Sequence, residues 1–94
     1  MKQKLVQTRP NTGVAFFTNS AESIAKLKEY TDAGKIVKSE SMSEDQLVKT
    51  TELVYTAVDD YNDFIQEEVG LTEKNNRETY SSANGISTVL TEEE

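Results

Sequence analysis

The most informative segment of the chain is residues 46–57, which read QLVKTTELVYTA. No glycine or proline interrupts it, and its β-branched and aromatic content predicts one long β-strand. Alternation gives each face its own set of side chains: Leu47, Lys49, Thr51, Leu53 and Tyr55 on one, and Val48, Thr50, Glu52 and Val54 on the other. Because both faces are partly apolar, we expect helices to cover one face of the sheet and another surface, such as a second copy of the chain, to cover the other.

A first helix is predicted before this strand, over residues 20–33. Asn19 is expected to cap it, with Glu22 completing a capping-box pair. Gly34 is the stop signal, because glycine accepts the left-handed conformation at a helix end. The apolar stripe of this helix follows helical spacing and consists of Ile24, Leu27, Tyr30 and Thr31.

The second predicted helix, over residues 59–68, is strongly acidic. Asp59 is expected to cap it and Val69-Gly70 to end it. Asp59, Asp63 and Glu67 then share one helical face. Since the loop spacing of a calcium site is absent, this pattern predicts a solvated face and no metal site.

Shorter strands are predicted at residues 3–8 and 35–41, and a proline ends the first of them. Residues 14–17 then return to an apolar extended run. Phe16 and Phe17 point in opposite directions on such a run, so one of them needs cover from a helix, a loop or another subunit.

The last quarter of the chain allows two interpretations. In the first, residues 75–83 form a short helix that ends at Asn84-Gly85 and leads into a strand over 86–91. In the second, Asn84-Gly85 is the type I′ turn of a hairpin between strands 77–83 and 86–91. We favour the helix and strand, and we expect residues 92–94 to be a solvated tail.

The order of these elements predicts a single α+β domain over residues 1–94. Four strands and two main helices follow one another as β-α-β-β-α-β, which is the ferredoxin-like pattern. In that pattern an antiparallel sheet carries both helices on one face. The opposite face is left open.

Composition excludes several kinds of chemistry. The 94 residues include no cysteine, which excludes disulfides, thiol catalysis and thiolate metal sites. They include no histidine, the commonest metal ligand and the commonest general base at neutral pH. Neither a phosphate-binding glycine loop nor a dinucleotide fingerprint is present. We therefore predict no catalytic residues, no metal and no cofactor.

The charge is acidic overall and unevenly distributed. A formal net charge of −7 disfavours binding to nucleic acid, and no apolar run approaches the ~18 residues of a membrane span. Residues 1–38 contain seven bases and three acids, whereas residues 39–94 contain three bases and fourteen acids. Opposite charges on the two halves favour attraction within the chain or between subunits.

Two resemblances follow from the element order and from dispersed residues. Residues 47–55, followed by 59–64, resemble the long central strand and second helix of the dimeric α+β barrel proteins, the superfamily of the antibiotic-biosynthesis monooxygenases. Small uncharacterised proteins of tailed phages are similar in the spacing of Arg9-Pro10-Asn11, Val14–Phe17, Arg77, Tyr80 and Asn84-Gly85-Ile86. The first resemblance implies sheet-to-sheet dimerisation, and the second implies a location in the virion or the host cytoplasm.

Together these features predict a non-enzymatic, self-associating acidic protein with a structural or accessory role in phage virion assembly. Its expected partners are further copies of itself, in a homo-oligomer, or other virion proteins. The candidate interface residues come from the long strand and the phenylalanine pair: Val48, Thr50, Leu53, Val54, Phe16 and Phe17.

Two alternatives stay open at this point. The superfamily resemblance implies a cofactor-independent monooxygenase that acts on a small aromatic substrate, in a pocket containing Asn11, Tyr55, Tyr61 or Tyr80. The haem-degrading activity of that superfamily is not expected, because the chain has no tryptophan or histidine. The acidic segment 59–68 alternatively predicts an inhibitor that binds a basic host protein.

Overall fold

One four-stranded sheet with three helices makes up the computed structural model, which describes residues 1–93. The elements in chain order are β1 (Lys2–Thr8), α1 (Ala21–Asp32), β2 (Ile36–Met42), β3 (Val48–Tyr55), α2 (Val58–Ile65), α3 (Glu68–Ala83) and β4 (Ser87–Glu93). Glu94, the last residue of the predicted tail, lies outside the described residues. The α+β class is confirmed, but three helices occur where two main helices were predicted.

The strands are ordered β2-β3-β1-β4, and every neighbouring pair is antiparallel. The centre of the sheet is therefore the pair β3 and β1, and its free edges are β2 and β4. Helix α1 contacts β2, α2 contacts β3, and α3 contacts both β4 and α1. This arrangement is compatible with a ferredoxin-like fold.

Aromatic residues dominate the core, whose buried centre is Tyr30, Ile36, Tyr55 and Tyr61. Tyr55 stacks on Tyr61 with ring centroids 5.2 Å apart. Tyr30 meets Phe64 edge-on, with centroids 4.9 Å apart. Aromatic rings bury a large area per residue, which suits a chain in which only 35% of residues are hydrophobic.

The start of α1 differs from the predicted cap at Asn19. Ser20 has the extended backbone of an N-cap, and its Oγ accepts a hydrogen bond from the Ser23 N–H at 3.2 Å. The carboxylate that completes the cap belongs to Glu73 of α3 and not to Glu22. The Glu73 carboxylate accepts hydrogen bonds from the Ser20 N–H at 3.0 Å and from the Ser20 Oγ–H at 2.6 Å. Glu73 is only 5% exposed. A buried carboxylate thus connects the beginning of α1 to α3.

The predicted acidic helix over residues 59–68 ends early, because α2 stops at Ile65. Glu67 has an extended backbone and occupies the N-cap position of α3. Its carboxylate accepts a hydrogen bond from the Tyr30 hydroxyl at 2.8 Å and lies 3.7 Å from the Lys26 Nζ. These contacts with α1 fix Glu67 at the break between the two helices.

Three details of the prediction for this segment are therefore wrong. Gly70 lies in the first turn of α3, where its N–H bonds to the Glu67 carbonyl at 3.0 Å, so it does not end a helix. Ala57, and not Asp59, occupies the N-cap position of α2. Asp59 and Asp63 no longer share a continuous helical face with Glu67, because the break separates them.

The helix-and-strand interpretation of the C-terminal quarter is confirmed, because α3 continues to Ala83. Asn84 is the C-cap, and Gly85 follows with a φ of 70°, a left-handed conformation that glycine adopts without strain. Glu92 and Glu93 are exposed, as predicted, but they do not form a tail. Both belong to β4 and pair with β1.

The predicted extended run at residues 14–17 forms no strand. Side-chain contacts hold this loop instead. The Arg9 guanidinium lies 4.7 Å above the Phe16 ring, and Phe17 packs against Tyr80 with centroids 5.7 Å apart. Both phenylalanines are thereby half-buried against their own chain.

Candidate functional site

The sheet has one face that the helices cover and one that they leave open. The covered face carries Ile36 and Tyr55, which pack against Tyr30 of α1 and Tyr61 of α2. Because side chains alternate along each strand, the register assigns the other set to the opposite face, which we call the open face. Its members are Lys2, Lys4, Val6, Thr8, Val37, Ser39, Ser41, Val48, Thr50, Glu52, Val54, Ser87, Val89, Thr91 and Glu93.

Valines form two pairs at diagonally opposite corners of the open face. Val37 of β2 pairs with Val54 of β3, and Val6 of β1 pairs with Val89 of β4. Val37 is 64% exposed, Val54 42% and Val89 52%. Clustered exposed valines on an uncovered sheet face are typical of a surface that another surface covers.

Charged residues lie between the valine pairs. Lys4 is the register partner of Glu52, and the Lys2 Nζ lies 3.7 Å from the Glu52 Oε1. Both members of this ion pair are partly exposed, so the pair contributes at most about 1 kcal/mol to folding. These lysines and Glu52 are therefore available to pair with charges on an opposing surface.

The structure divides the predicted interface residues between two faces. Val48, Thr50 and Val54 lie on the open face. Leu53 alternates with Val54 along β3, so it points to the covered face and packs against the aromatic core. Leu53 is consequently not part of a surface available to a partner.

The predicted phenylalanines lie on the covered side as well. Two cations lie over the Phe16 ring, with the Arg9 guanidinium at 4.7 Å and the Lys49 Nζ at 5.6 Å from its centroid. Phe17 is engaged by Tyr80. Neither ring adjoins the open face, so the structure does not join them to the valines.

The predicted pocket residues separate into two places. Tyr55 and Tyr61 stack inside the core. Asn11 lies in an exposed turn, where its Oδ1 accepts from the N–H two residues later at 2.9 Å. The Tyr80 hydroxyl donates to the Ala15 carbonyl at 2.7 Å. Each group is therefore engaged in holding its own part of the fold.

Two surface grooves lie elsewhere on the molecule. One, of about 550 Å³, runs between α1 and β2 and is lined in part by Ile24, Leu27 and Val37. The other, of about 570 Å³, runs between α1 and α3 beside Glu67 and Glu73. None of the four predicted pocket residues lines either groove.

Three tyrosine hydroxyls are held as hydrogen-bond donors. Burial, reinforced by the hydrogen bond to Glu67, raises the pKa of Tyr30 to about 12. Burial also raises the pKa of Tyr55, and the hydrogen bond to Glu92 raises the pKa of Tyr61. At neutral pH all three phenols therefore keep their protons, and their arrangement suits donation to a partner atom better than proton abstraction.

Within residues 1–93, no group of three or more acidic, histidine or cysteine side chains is placed to hold a metal ion. Of the three helices, none combines the length and the apolar character needed to cross a membrane.

Comparison of the chain with protein-family models, with curated proteins and with solved structures yields no match. The resemblances to the dimeric α+β barrel superfamily and to tailed-phage proteins thus receive no support beyond a compatible fold. The open face remains the feature that most clearly requires a functional account.

Proposed function

We propose that this protein is a non-enzymatic module that self-associates by stacking the open faces of two sheets. The observation that supports the proposal is the uncovered sheet face with its valine pairs, Val37 with Val54 and Val6 with Val89, of which only Val6 is half-buried. A ferredoxin-like assignment belongs to the same proposal, with α1 and α3 as the two main helices and α2 as an addition. In that fold the face opposite the helices is the natural surface for a second sheet.

Charge complementarity supports a second copy as the occupant. A two-fold axis parallel to the strands, between β1 and β3, lays β1 of each copy over β3 of the other. Lys4 then opposes Glu52 of the second copy, and the reciprocal pair forms by symmetry. The same axis lays Val54 over the aliphatic stem of Lys2 and Val6 over Thr50, so the valines are covered as well. Because both residues lie on the two central strands, the usual crossing of about 30° between stacked sheets displaces them little.

The size of the open face sets the expected strength of the dimer. Four strands about 4.8 Å apart, with seven residues at about 3.4 Å each, span roughly 450 Å² in projection. A specific interface buries at least about 1,000 Å² in total, or half that per partner. The open face is therefore near the lower limit, and we expect a dimer that dissociates on dilution. Self-association of this kind would serve a structural or accessory role in a phage particle, a context that rests on the sequence resemblance alone.

The test is the mass in solution of two matched lysine variants. Val54→Lys places a charge on the open face, whereas Val58→Lys places one on α2, at another exposed valine. At the lowest concentration at which the parent dimerises, light scattering after size exclusion should give twice the monomer mass for the parent and for Val58→Lys, and the monomer mass for Val54→Lys. A parent that stays monomeric at every concentration, or a Val54→Lys variant that dimerises like the parent, would refute the proposal.

A further inference from the structure

The two strands at the free edges of the sheet, β2 and β4, run in opposite directions. Strand directions alternate across β2-β3-β1-β4, and the number of strands is even. If β4 of a second copy lies beside β2, the antiparallel alternation continues, and the helices of both copies remain on the same side. The sheet geometry thus permits a continuous sheet built from successive copies.

Backbone hydrogen bonds show which groups of β2 point to the free edge. The Ser43 N–H donates to the Val48 carbonyl at 2.8 Å, and the Thr56 N–H donates to the Lys35 carbonyl at 2.9 Å. Odd-numbered residues of β2 therefore bond to β3. Because the pattern alternates, the even-numbered residues have N–H and C=O groups at the open edge: Ile36, Lys38, Glu40 and Met42.

The same reasoning applies to β4 through its neighbour β1. The Tyr55 N–H donates to the Met1 carbonyl at 2.8 Å, and the Arg9 N–H donates to the Leu47 carbonyl at 2.9 Å. Odd-numbered residues of β1 thus bond to β3, and its even-numbered residues bond to β4. The residues of β4 whose backbone groups point outward are accordingly Thr88, Leu90 and Glu92.

These two sets of outward-pointing residues match in the orientation of their side chains. The β2 set includes Ile36, which is buried in the core beneath the helices. The β4 set includes Glu92, which accepts a hydrogen bond from the Tyr61 hydroxyl of α2. Both sets therefore lie on the helix-covered face. Residues that exchange hydrogen bonds across an antiparallel pair must share a face, and these residues meet that requirement.

Charge selects one register among those that the pattern allows. Lys38 opposite Glu92 brings Glu40 opposite Leu90 and Met42 opposite Thr88. A shift by two residues in one direction places Glu40 opposite Glu92, two like charges. A shift in the other direction leaves Lys38 opposite Leu90, so that its only charged partner among the described residues is Glu40 of its own strand, 3.6 Å away. Opposite charges directly across a strand pair stabilise it, and like charges destabilise it.

Exposed apolar residues adjoin the β2 edge. The groove between α1 and β2 has a volume of about 550 Å³, and Ile24 on its wall is 54% exposed although it lies on the predicted apolar stripe of α1. A strand added to β2 brings its own helix α3 alongside α1, because α3 contacts β4 within each copy. The added copy covers this groove.

We propose that β4 of one copy pairs with β2 of the next, in the register that sets Lys38 opposite Glu92, so that copies join head to tail into one extended sheet. This inference goes beyond the proposed face-to-face dimer and uses a different surface. The face-to-face contact closes at two copies. The edge contact leaves a free β2 and a free β4 at its ends, so its product grows with concentration.

The first test removes a hydrogen bond at the edge. Glu40→Pro deletes an N–H that points away from β3, so the sheet within the monomer keeps its bonds, whereas Glu40→Thr keeps the edge intact. Both are made in the Val54→Lys background, in which the open face is blocked. Sedimentation velocity should show assemblies that grow with concentration for Glu40→Thr and only monomer for Glu40→Pro. Equal assembly by the two variants would overturn the proposal.

The second test exchanges charges between chains in that background. Lys38→Glu and Glu92→Lys should each raise the concentration needed for assembly about tenfold, and a mixture of the two should restore assembly because each edge then finds its opposite. Recovery in the mixture excludes misfolding as the cause. A mixture that stays monomeric refutes the edge contact. If Val54→Lys stays monomeric at every concentration while the parent dimerises, the edge contact fails and the face-to-face dimer stands.

Discussion

Replacing Glu73 by glutamine tests the buried connection between α1 and α3. The carboxylate accepts two hydrogen bonds from Ser20, at 3.0 Å from the backbone N–H and at 2.6 Å from the hydroxyl. Glutamine has only one acceptor oxygen. Its NH₂ group takes the place of the other carboxylate oxygen and faces one of the two Ser20 donors, to which it cannot bond as an acceptor. The variant therefore loses one charge-assisted hydrogen bond, and its side chain stays buried.

The magnitude follows from the character of that bond. Hydrogen bonds to charged groups contribute about 1.5–3 kcal/mol, so we expect Glu73→Gln to lower the free energy of unfolding by about 2 kcal/mol. For a domain of this size that corresponds to a decrease of roughly 8–16 °C in Tm. The total stability expected at this length is on the order of 5–14 kcal/mol, so the loss is a large share of it.

Urea unfolding followed by circular dichroism is the appropriate assay, with Glu78→Gln as the matched control. Glu78 lies on the same helix but is exposed, so its substitution should change the free energy of unfolding by less than about 0.5 kcal/mol. A double-mutant cycle of Glu73→Gln with Ser20→Ala should give a coupling energy of about 1 kcal/mol or more. The reasoning is refuted if the two glutamine variants unfold together, or if the coupling energy is zero.

Two further predictions concern pH and backbone conformation. Because the pKa of Tyr30 rises from 10.0 to about 12 on folding, the unfolded chain loses that proton first, and stability should fall as pH rises from about 10 to 12. Tyr30→Phe should reduce this slope in urea unfolding measured across that range, and an unchanged slope would contradict the assignment. Gly85→Ala should destabilise by about 1 kcal/mol because φ is 70°, whereas Gly70→Ala in the first turn of α3 should stabilise by about 0.5–1 kcal/mol. Thermal unfolding that ranks these two variants in the opposite order would refute that argument.

Elements with a strong local signal were predictable from sequence alone. The run at residues 46–57 contains β3, and the periodic stripe around Tyr30 gave α1. The glycine at position 85 correctly marked the end of a helix, while Gly70 did not. The difference is physical, because Gly85 needs a left-handed backbone and Gly70 has the ordinary conformation of a first turn.

Features that depend on distant contacts were not predictable. The cap of α1 is completed by Glu73, which lies 53 positions away from Ser20, so a local capping box could not reveal it. The break before α3 depends on the contact of Glu67 with Tyr30. No local pattern in residues 59–68 encodes that contact, and the acidic run therefore read as one helix.

The open face was predicted in part. Alternation within β3 correctly assigned Val48 and Val54 to one face and Leu53 to the other, and the error was to name all three as interface candidates. The contribution of Val37 and Val89 required the pairing of four strands, which alternation in single strands does not determine. Once that pairing is known, the valines and charges of the face follow without further assumption.

The sparse burial of β2 has a consequence for the order in which the molecule opens. Of its seven residues only Ile36 is buried, so most of the strand is attached to β3 through backbone hydrogen bonds and exposed side-chain contacts such as the Glu40–Lys49 ion pair. Solvent exchange at those amides requires separation of one strand and no disruption of the aromatic core, which makes β2 a low-energy unit of partial unfolding. Such an opening exposes the backbone groups of β3 that had bonded to β2. Strand β3 then becomes the edge of the sheet and is available for pairing with another strand.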